Sequence, residues 1–302
     1  MSKRLRQNRF QGNDDRGAGR GEMEAASKVE ILTIGNELLI GDILDTNTNW
    51  LCRLLHDRGS RVARVTILPD IHGEIVGAVA EAVERQVTLL LTTGGLGPTE
   101  DDRTLEAVAA GTGRRLRLHQ QALAQVEQQY ARFFRQGIIA SREMNPAREK
   151  MAWLPEGAEA LANPVGIAPG VLLQQDQTTI VSLPGVPAEL KGIMEQEVGK
   201  LLGPGGTEGS SSLRRLWAGC NDESLMDPVL RRLTAAYPEI YIKSLATPLG
   251  EQARMEILLT CNAHQVGEQL LAQACLELAA ALRELGLVVA EAEESDSGDG
   301  GC

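Results

Sequence analysis

Residues 92–104, Thr92-Thr93-Gly94-Gly95-Leu96-Gly97-Pro98-Thr99-Glu100-Asp101-Asp102-Arg103-Thr104, follow directly on the apolar run 87–91 and hold the densest chemistry in the chain. A buried strand that opens into Gly-Gly-x-Gly and then into a helix start is suited to an anion. The glycines let the backbone approach closely and offer N–H groups, and the helix adds its positive dipole end. Thr93, Gly94, Gly95, Leu96, Gly97, Pro98, Thr99 and Thr104 are therefore candidate phosphate-binding residues. Asp101 and Asp102 would repel a bare phosphate, so the pair points to a hard divalent cation, of unspecified identity, bridging carboxylate and phosphate oxygens.

The elements that must position this loop alternate along the chain. Residues 29–34 form a β-branched run, 47–58 place Leu51, Leu54 and Leu55 at helical spacing, and 61–68 alternate. Residues 71–84 put Ile75, Ala78, Val79 and Ala82 on one helical face before the strand at 87–91. Strand–helix alternation predicts a three-layer, mostly parallel α/β sheet, whose ligands bind outside the carboxyl ends of the strands. The loops after Ile34 and after Thr92 then share one rim, which brings in Glu37, Asp45 and Asn47. Asp45, Thr46 and Asn47 are equally good N-cap types for the following helix, and both roles can hold together.

Further along, residues 120–137 read as a helix whose Tyr130, Phe133 and Phe134 are expected in packing or dimer contact rather than in base stacking. Arg142, Arg148 and Lys150 follow; cations beside a phosphate pocket could clamp a diphosphate, although a solvated charge run is the common alternative. The Pro/Gly loops 163–170 and 184–187, the latter with Gly185, are delivered by strands at 171–173 and 178–183, and residues 198–202 end the helix after Pro187. Residues 203–212 read as a flexible linker. Beyond it, 213–290 read strand (213–218), helix (223–236), strand (240–245), strand (253–260), helix (263–284), strand (287–289), a ferredoxin-like plan in a second, smaller α/β domain.

Composition bounds what these elements can serve. The chain has 302 residues, 43% of them hydrophobic, and a net charge of −11. That is enough for about two domains and argues against nonspecific nucleic-acid binding. No apolar run approaches the roughly 18 residues of a membrane helix, and a cytoplasmic protein without a membrane partner is expected. Residues 1–28 read as a disordered extension and 291–302 as a solvated acidic tail. The five cysteines, Cys52, Cys220, Cys261, Cys275 and Cys302, are widely spaced with no Cys-x-x-Cys, so neither a disulfide framework nor a zinc site is indicated. His56, His72, His119 and His264 are equally scattered.

The glycine loop closely resembles the Gly-Gly-Leu-Gly-Pro-Thr-x-Asp-Asp-x-Thr signature of the CinA family, whose N-terminal domain has the MoaB/Mog molybdopterin-binding fold. Residues 34–47 (Ile-Gly-Asn-Glu-Leu-Leu-Ile-Gly-Asp-Ile-Leu-Asp-Thr-Asn), 148–152, 154–158, 163–170 and 183–190 resemble further family segments in the same order, covering roughly 29–202. The resemblance implies that the region of Glu37 lines the pocket, that Arg148 and Lys150 lie in a family string, and that 213–290 corresponds to a small domain sometimes described as KH-type. No basic Gly-x-x-Gly loop accompanies that label here, so a packing or dimerisation module, and with it a homo-oligomer, is expected. Longer family members carry a further domain resembling nicotinamide mononucleotide deamidases; that activity is not expected of this chain. The activity implied is metal-dependent hydrolysis of a nucleotide diphosphate such as ADP-ribose, with Asp101, Asp102 and Glu37 holding the ion and activating water. Relatives that transfer an adenylyl group to molybdopterin place an Asp and a Thr at the positions of Asp102 and Thr104, so a pterin ligand is an alternative, as is a noncatalytic binding protein.

Overall fold

Strand β1 (Lys28–Ile34) leads through the short helix α1 (Asn36–Leu39) to α2 (Thr46–Asp57); β2 (Arg61–Leu68), α3 (His72–Glu84), β3 (Leu89–Thr93) and α4 (Thr104–Gly111) follow. Then come β4 (Leu116–Leu118), α5 (Gln120–Arg135), α6 (Pro146–Lys150), β5 (Trp153–Pro155), β6 (Glu159–Leu161), β7 (Gly170–Gln175), β8 (Thr178–Leu183) and α7 (Pro187–Gln196). This computed structural model describes residues 28–58, 60–200, 211–220, 222–246, 254–262 and 265–291. The expected N-terminal extension up to residue 27, the linker residues 203–210 and the tail beyond 291 lie outside the described residues.

One mixed sheet runs β2-β1-β3-β8-β7-β6, with β2, β1, β3 and β8 parallel and β7 and β6 antiparallel. Successive side chains of a strand point to opposite faces, and both faces are covered. Val29, Ile31, Leu89 and Leu91 pack with Leu51 and Leu55 of α2 and with Leu190 and Ile193 of α7. Leu32, Ile34 and Leu90 join Ile75 and Val79 of α3 and Val126 of α5 on the other face. The three-layer, mostly parallel α/β architecture expected from the alternation is the one observed. Burying each such aliphatic side chain is worth about 1.5–3 kcal/mol. A charged residue enters this interior: Glu30 of β1 takes a two-pronged hydrogen bond from Arg85 Nε (3.0 Å) and an Arg85 terminal nitrogen (2.7 Å), which compensates its desolvation.

The smaller unit contains β9 (Ser211–Ala218), α8 (Asp227–Ala236), β10 (Ile240–Ala246), β11 (Met255–Asn262), α9 (Gln265–Glu284) and β12 (Val289–Glu291). Its antiparallel sheet runs β10-β11-β9-β12. The first strand thus lies between the third and fourth, the ferredoxin-like arrangement of two crossovers. A separate core of Leu216, Ile257, Leu259, Leu271 and Leu278 holds it together.

Several boundaries differ from those read in the sequence. The strand expected at 87–91 begins at Leu89 and continues through Thr93, so the two threonines belong to the sheet rather than to the loop. The helix expected at 120–137 stops at Arg135, and Gly137 takes a left-handed φ of 70°. The helix expected at 223–236 divides into a 3₁₀ turn at Glu223–Leu225 and α8, where Pro228 occupies the first turn and lacks the N–H to continue from the preceding segment. Ser211 and Ser212, expected in the linker, already pair with Asn262 and Cys261 in the sheet.

Candidate functional site

Because β1, β3 and β8 are parallel neighbours, the loops leaving their carboxyl ends lie side by side. Hydrogen bonds stitch the three together. Gly94 N donates to Leu183 O at 3.0 Å, Asn47 Nδ2 donates to Gly185 O at 2.7 Å and Thr93 Oγ1 at 3.3 Å, and Thr93 Oγ1 donates to Pro184 O at 3.3 Å. They enclose a cavity of about 700 Å³, within the range of small-molecule and cofactor sites.

The glycine loop is shaped by its own contacts. Gly94 has φ 99°, and a methyl group there would overlap the Ile34 carbonyl oxygen. Gly95 is also left-handed, at φ 66°, but its missing side chain makes room for Thr104 Oγ1, not for a ligand oxygen. Thr104 is fully buried and donates to Gly94 O at 2.8 Å, fixing the turn from beneath. The amides of Gly95, Leu96 and Gly97 make no hydrogen bond to the described residues, which leaves three donors on a loop that lines the cavity.

Thr99 organises the acidic pair. Its hydroxyl bonds a carboxylate oxygen of Asp101 and, at 2.6 Å, Asp102 Oδ2, while its amide donates to Asp102 Oδ2 at 2.9 Å. Lys150 Nζ donates to the Thr99 carbonyl from the other side. The Thr99 hydroxyl, backbone amides and the Lys150 charge hold the Asp101 carboxyl below its ordinary range, so Asp101 is ionised at neutral pH.

Of the residues expected at the site, Glu37, Asn47, Asp101 and Asp102 line the cavity, as do Thr93, Gly94, Gly95, Leu96, Gly97, Pro98 and Gly185. Four do not. Thr104 is buried below the loop and Thr99 sits behind the carboxylates it bonds; Lys150 is spent on Thr99. Arg148 stacks on the Tyr130 ring at 3.9 Å and donates to the carbonyls of Ser141 (2.8 Å) and Glu143 (2.9 Å). Arg148 is thus placed in packing outside the cavity lining, with one terminal nitrogen given to backbone carbonyls. Thr93, 1% exposed, likewise tethers the loops with its hydroxyl instead of offering it to a ligand.

Two lining carboxylates escaped the sequence reading. Asp70, at the end of β2, accepts from Asn36 N at 2.9 Å, and Glu189 lies in the first turn of α7. The position of Asp70 just past a parallel strand was a usable signal. Asp45 both lines the cavity and caps α2, accepting from Thr48 N at 2.9 Å. Carboxylates from Glu37, Asp45, Asp70, Asp101, Asp102 and Glu189 thus face one cavity whose lining includes no Lys, Arg or His. Among the described residues, no three His, Cys, Asp or Glu side chains converge closely enough to hold a metal by themselves. Asn47 Oδ1, buried on this wall, has no hydrogen-bond partner among them, an arrangement that costs about 1–3 kcal/mol.

Residues 30–203 match a family model described as a probable molybdopterin binding domain. The chain is 40% identical over 201 residues to Protein PH0439 of Pyrococcus horikoshii, covering 67% of this chain and 77% of that protein. It is 40% identical over 202 residues to Protein TK1472 of Thermococcus kodakarensis, covering 67% and 79%. Among solved structures, the protein CinA with unknown function from Thermoplasma acidophilum is similar with a TM-score of 0.52 at 32% identity, over 58% of this chain and 98% of that one. Among the described residues, no helix is long and apolar enough to cross a membrane.

Proposed function

The chain belongs to the family of probable molybdopterin binding domains, and from that premise we propose that its cavity hydrolyses the diphosphate linkage of a nucleotide such as ADP-ribose or a flavin dinucleotide, with a divalent ion. The observation that carries this reading is the pairing of two opposites on one loop. Free amides at Gly95, Leu96 and Gly97 suit phosphate oxygens, and the carboxylate side chains of Asp101 and Asp102 repel them. A cation between the two resolves the conflict.

The donor set fits such an ion. Hard divalent ions of the magnesium type are commonly held by one or two carboxylates plus substrate phosphate oxygens and water, not by a dedicated cage, and Asp101 with Asp102 is such a pair. When bound, the ion would polarise a phosphoryl oxygen and lower the charge that the attacking water meets. The chain's own contributions are separate. The loop amides orient one phosphate, Thr99 keeps both carboxylates turned together, and the apolar mouth at Ile43, Leu44 and Val186 accommodates the flat, less polar end of the ligand. Water adds to one phosphorus as the bridging P–O bond breaks, and ADP-ribose gives AMP and ribose 5-phosphate.

A second reading starts from the pterin ligand that the family description names, and adds adenylyl transfer from ATP in place of hydrolysis. Incubation of the purified protein with ADP-ribose or a flavin dinucleotide, with several divalent ions and with chelator, separates the readings. AMP release with water and metal alone is expected. Product only when molybdopterin and ATP are both supplied would favour the transfer reading, and ligand-induced thermal stabilisation without product would indicate a binding protein.

A further inference from the structure

Glu189 stands on the wall opposite in sequence to the acidic pair: Asp101 and Asp102 come from the loop after β3, Glu189 from α7 beside the loop 163–169. Its Oε2 accepts from Asn163 Nδ2 at 2.6 Å, and its Oε1 makes no hydrogen bond to the described residues. Asn163, only 4% exposed, is itself fixed at both side-chain polar atoms and at its carbonyl. Its Nδ2 also donates to Ala168 O (2.7 Å), its Oδ1 accepts from Val165 N (3.0 Å) and Gly166 N (2.8 Å), and its carbonyl accepts from Gln129 Nε2 (2.6 Å). Gly166 completes the seat, because a methyl group there would overlap the Glu189 carboxylate. The loop thus holds the carboxylate of a cavity-lining residue by one oxygen and leaves the other without a hydrogen bond to the described residues.

Among the described residues, no cation offsets this charge. The titratable groups sharing the cavity are Glu37, Asp45, Asp70, Asp101, Asp102 and Tyr130, and the neighbouring Lys191 of α7 sits over the Trp50 ring. Burial pushes the Glu189 carboxyl above its ordinary range, against the opposing effect of the Asn163 hydrogen bond. Its one hydrogen bond to the described residues comes from a neutral donor, so the strengthening that a paired cation gives a carboxylate is absent here.

We propose that Glu189 is the general base of this cavity, its free Oε1 taking a proton from the water that attacks the diphosphate. The water O–H bond breaks toward Oε1, the water oxygen bonds to phosphorus, and the bridging P–O bond breaks with its electron pair on the departing monophosphate. The proton then passes from Glu189 to solvent. The assignment rests on the hydrolase reading above and adds a residue to it.

The test compares wild type with Glu189→Gln and Glu189→Gly on ADP-ribose hydrolysis across pH, after thermal unfolding of each variant. Glu189→Gln is expected to lose about 10²–10⁴-fold in kcat with KM little changed, and to lose the acidic limb of the pH profile. It should also unfold at a higher temperature than wild type at neutral pH. An ionised group whose folded pKa is raised destabilises the fold increasingly as pH rises through that pKa, and Gln removes the charge. Formate added to Glu189→Gly should restore activity by about tenfold or more, as a small base standing in for the lost one; this arm still decides the matter if Glu189→Gln misfolds. An active wild type with Glu189→Gln unchanged in kcat and pH profile, or with no formate rescue, overturns the assignment and leaves the hydrolase reading intact. An inactive wild type overturns both.

Discussion

The two walls of the cavity hold carboxylates in opposite ways. On the glycine loop, Asp101 is solvated and its carboxyl is held down by the Thr99 hydroxyl; on the α7 wall, burial pushes the Glu189 carboxyl up. The first environment keeps a charge on the protein at any physiological pH, which suits a cation. The second keeps a proton within easy reach, which suits proton transfer. Paired groups whose surroundings drive their affinities for protons apart are a recurring sign of divided chemical labour, and here the division follows from a threonine hydroxyl on one wall and burial on the other.

The largest effect that would break this comparison is expected at Asp102. Replacing it with Asn preserves the shape that accepts from Thr99 but removes the charge, and kcat for metal-dependent hydrolysis should fall by about 10²–10⁴-fold. Activity within a few-fold of wild type at saturating metal would show that the acidic pair does not hold the ion.

The next test sets the glycines of the two walls against each other. A methyl group at Gly94 meets backbone, the Ile34 carbonyl, at a left-handed φ; at Gly166 it meets a side chain that can swing away. Gly94→Ala should therefore cost about 3 kcal/mol of stability by urea unfolding. Gly166→Ala should unfold at nearly the wild-type urea concentration while losing activity, because it displaces Glu189. Similar unfolding midpoints for the two variants would mean that the walls are equally pliant.

The smallest effect is expected at Thr99. In Thr99→Val the Asp101 carboxyl should titrate closer to its ordinary range, read by carbon NMR across the acid range. A carboxyl with a lowered folded pKa contributes stability that is present above its unfolded pKa and is lost as pH falls through the folded one. Stability at neutral pH should not change through Asp101, which is solvated. An unmoved Asp101 titration would assign its low pKa to the backbone amides instead.

How much of this was legible in the sequence depends on the kind of contact involved. Alternation of β-branched runs with 3.6-residue periodicity gave away the three-layer sheet, and strand order in the small unit followed from its β-α-β-β-α-β pattern. The rim was legible too, since Glu37, Asn47 and the glycine loop all had to leave parallel strands at the same edge. Contacts that a side chain makes far along the chain were not. Arg148 looked like a phosphate clamp because its destination, the Ser141 and Glu143 carbonyls, depends on how residues 141–148 fold back. Glu189 looked like an ordinary first-turn acid at a helix start; its role emerges only when Asn163, 26 residues earlier, is brought beneath it. At Gly95 the space of the missing side chain goes to Thr104 while the residue still lines the cavity, since spacing alone does not tell which neighbour occupies the place of a missing side chain.

The central claim is that a cavity lined by carboxylates and no cationic side chain takes a diphosphate only together with a divalent ion. Calorimetric titration of ADP-ribose into the wild type and into Asp102→Asn, performed with a divalent ion and again in chelator, tests it directly, with calcium among the ions tried so that turnover does not obscure the titration. Binding that is at least about tenfold tighter with the ion, a coupling of about 1.4 kcal/mol, is the expected result for the wild type, reduced in the variant. Equal affinity in chelator and in metal would contradict the claim, and would place the phosphates on the loop amides alone.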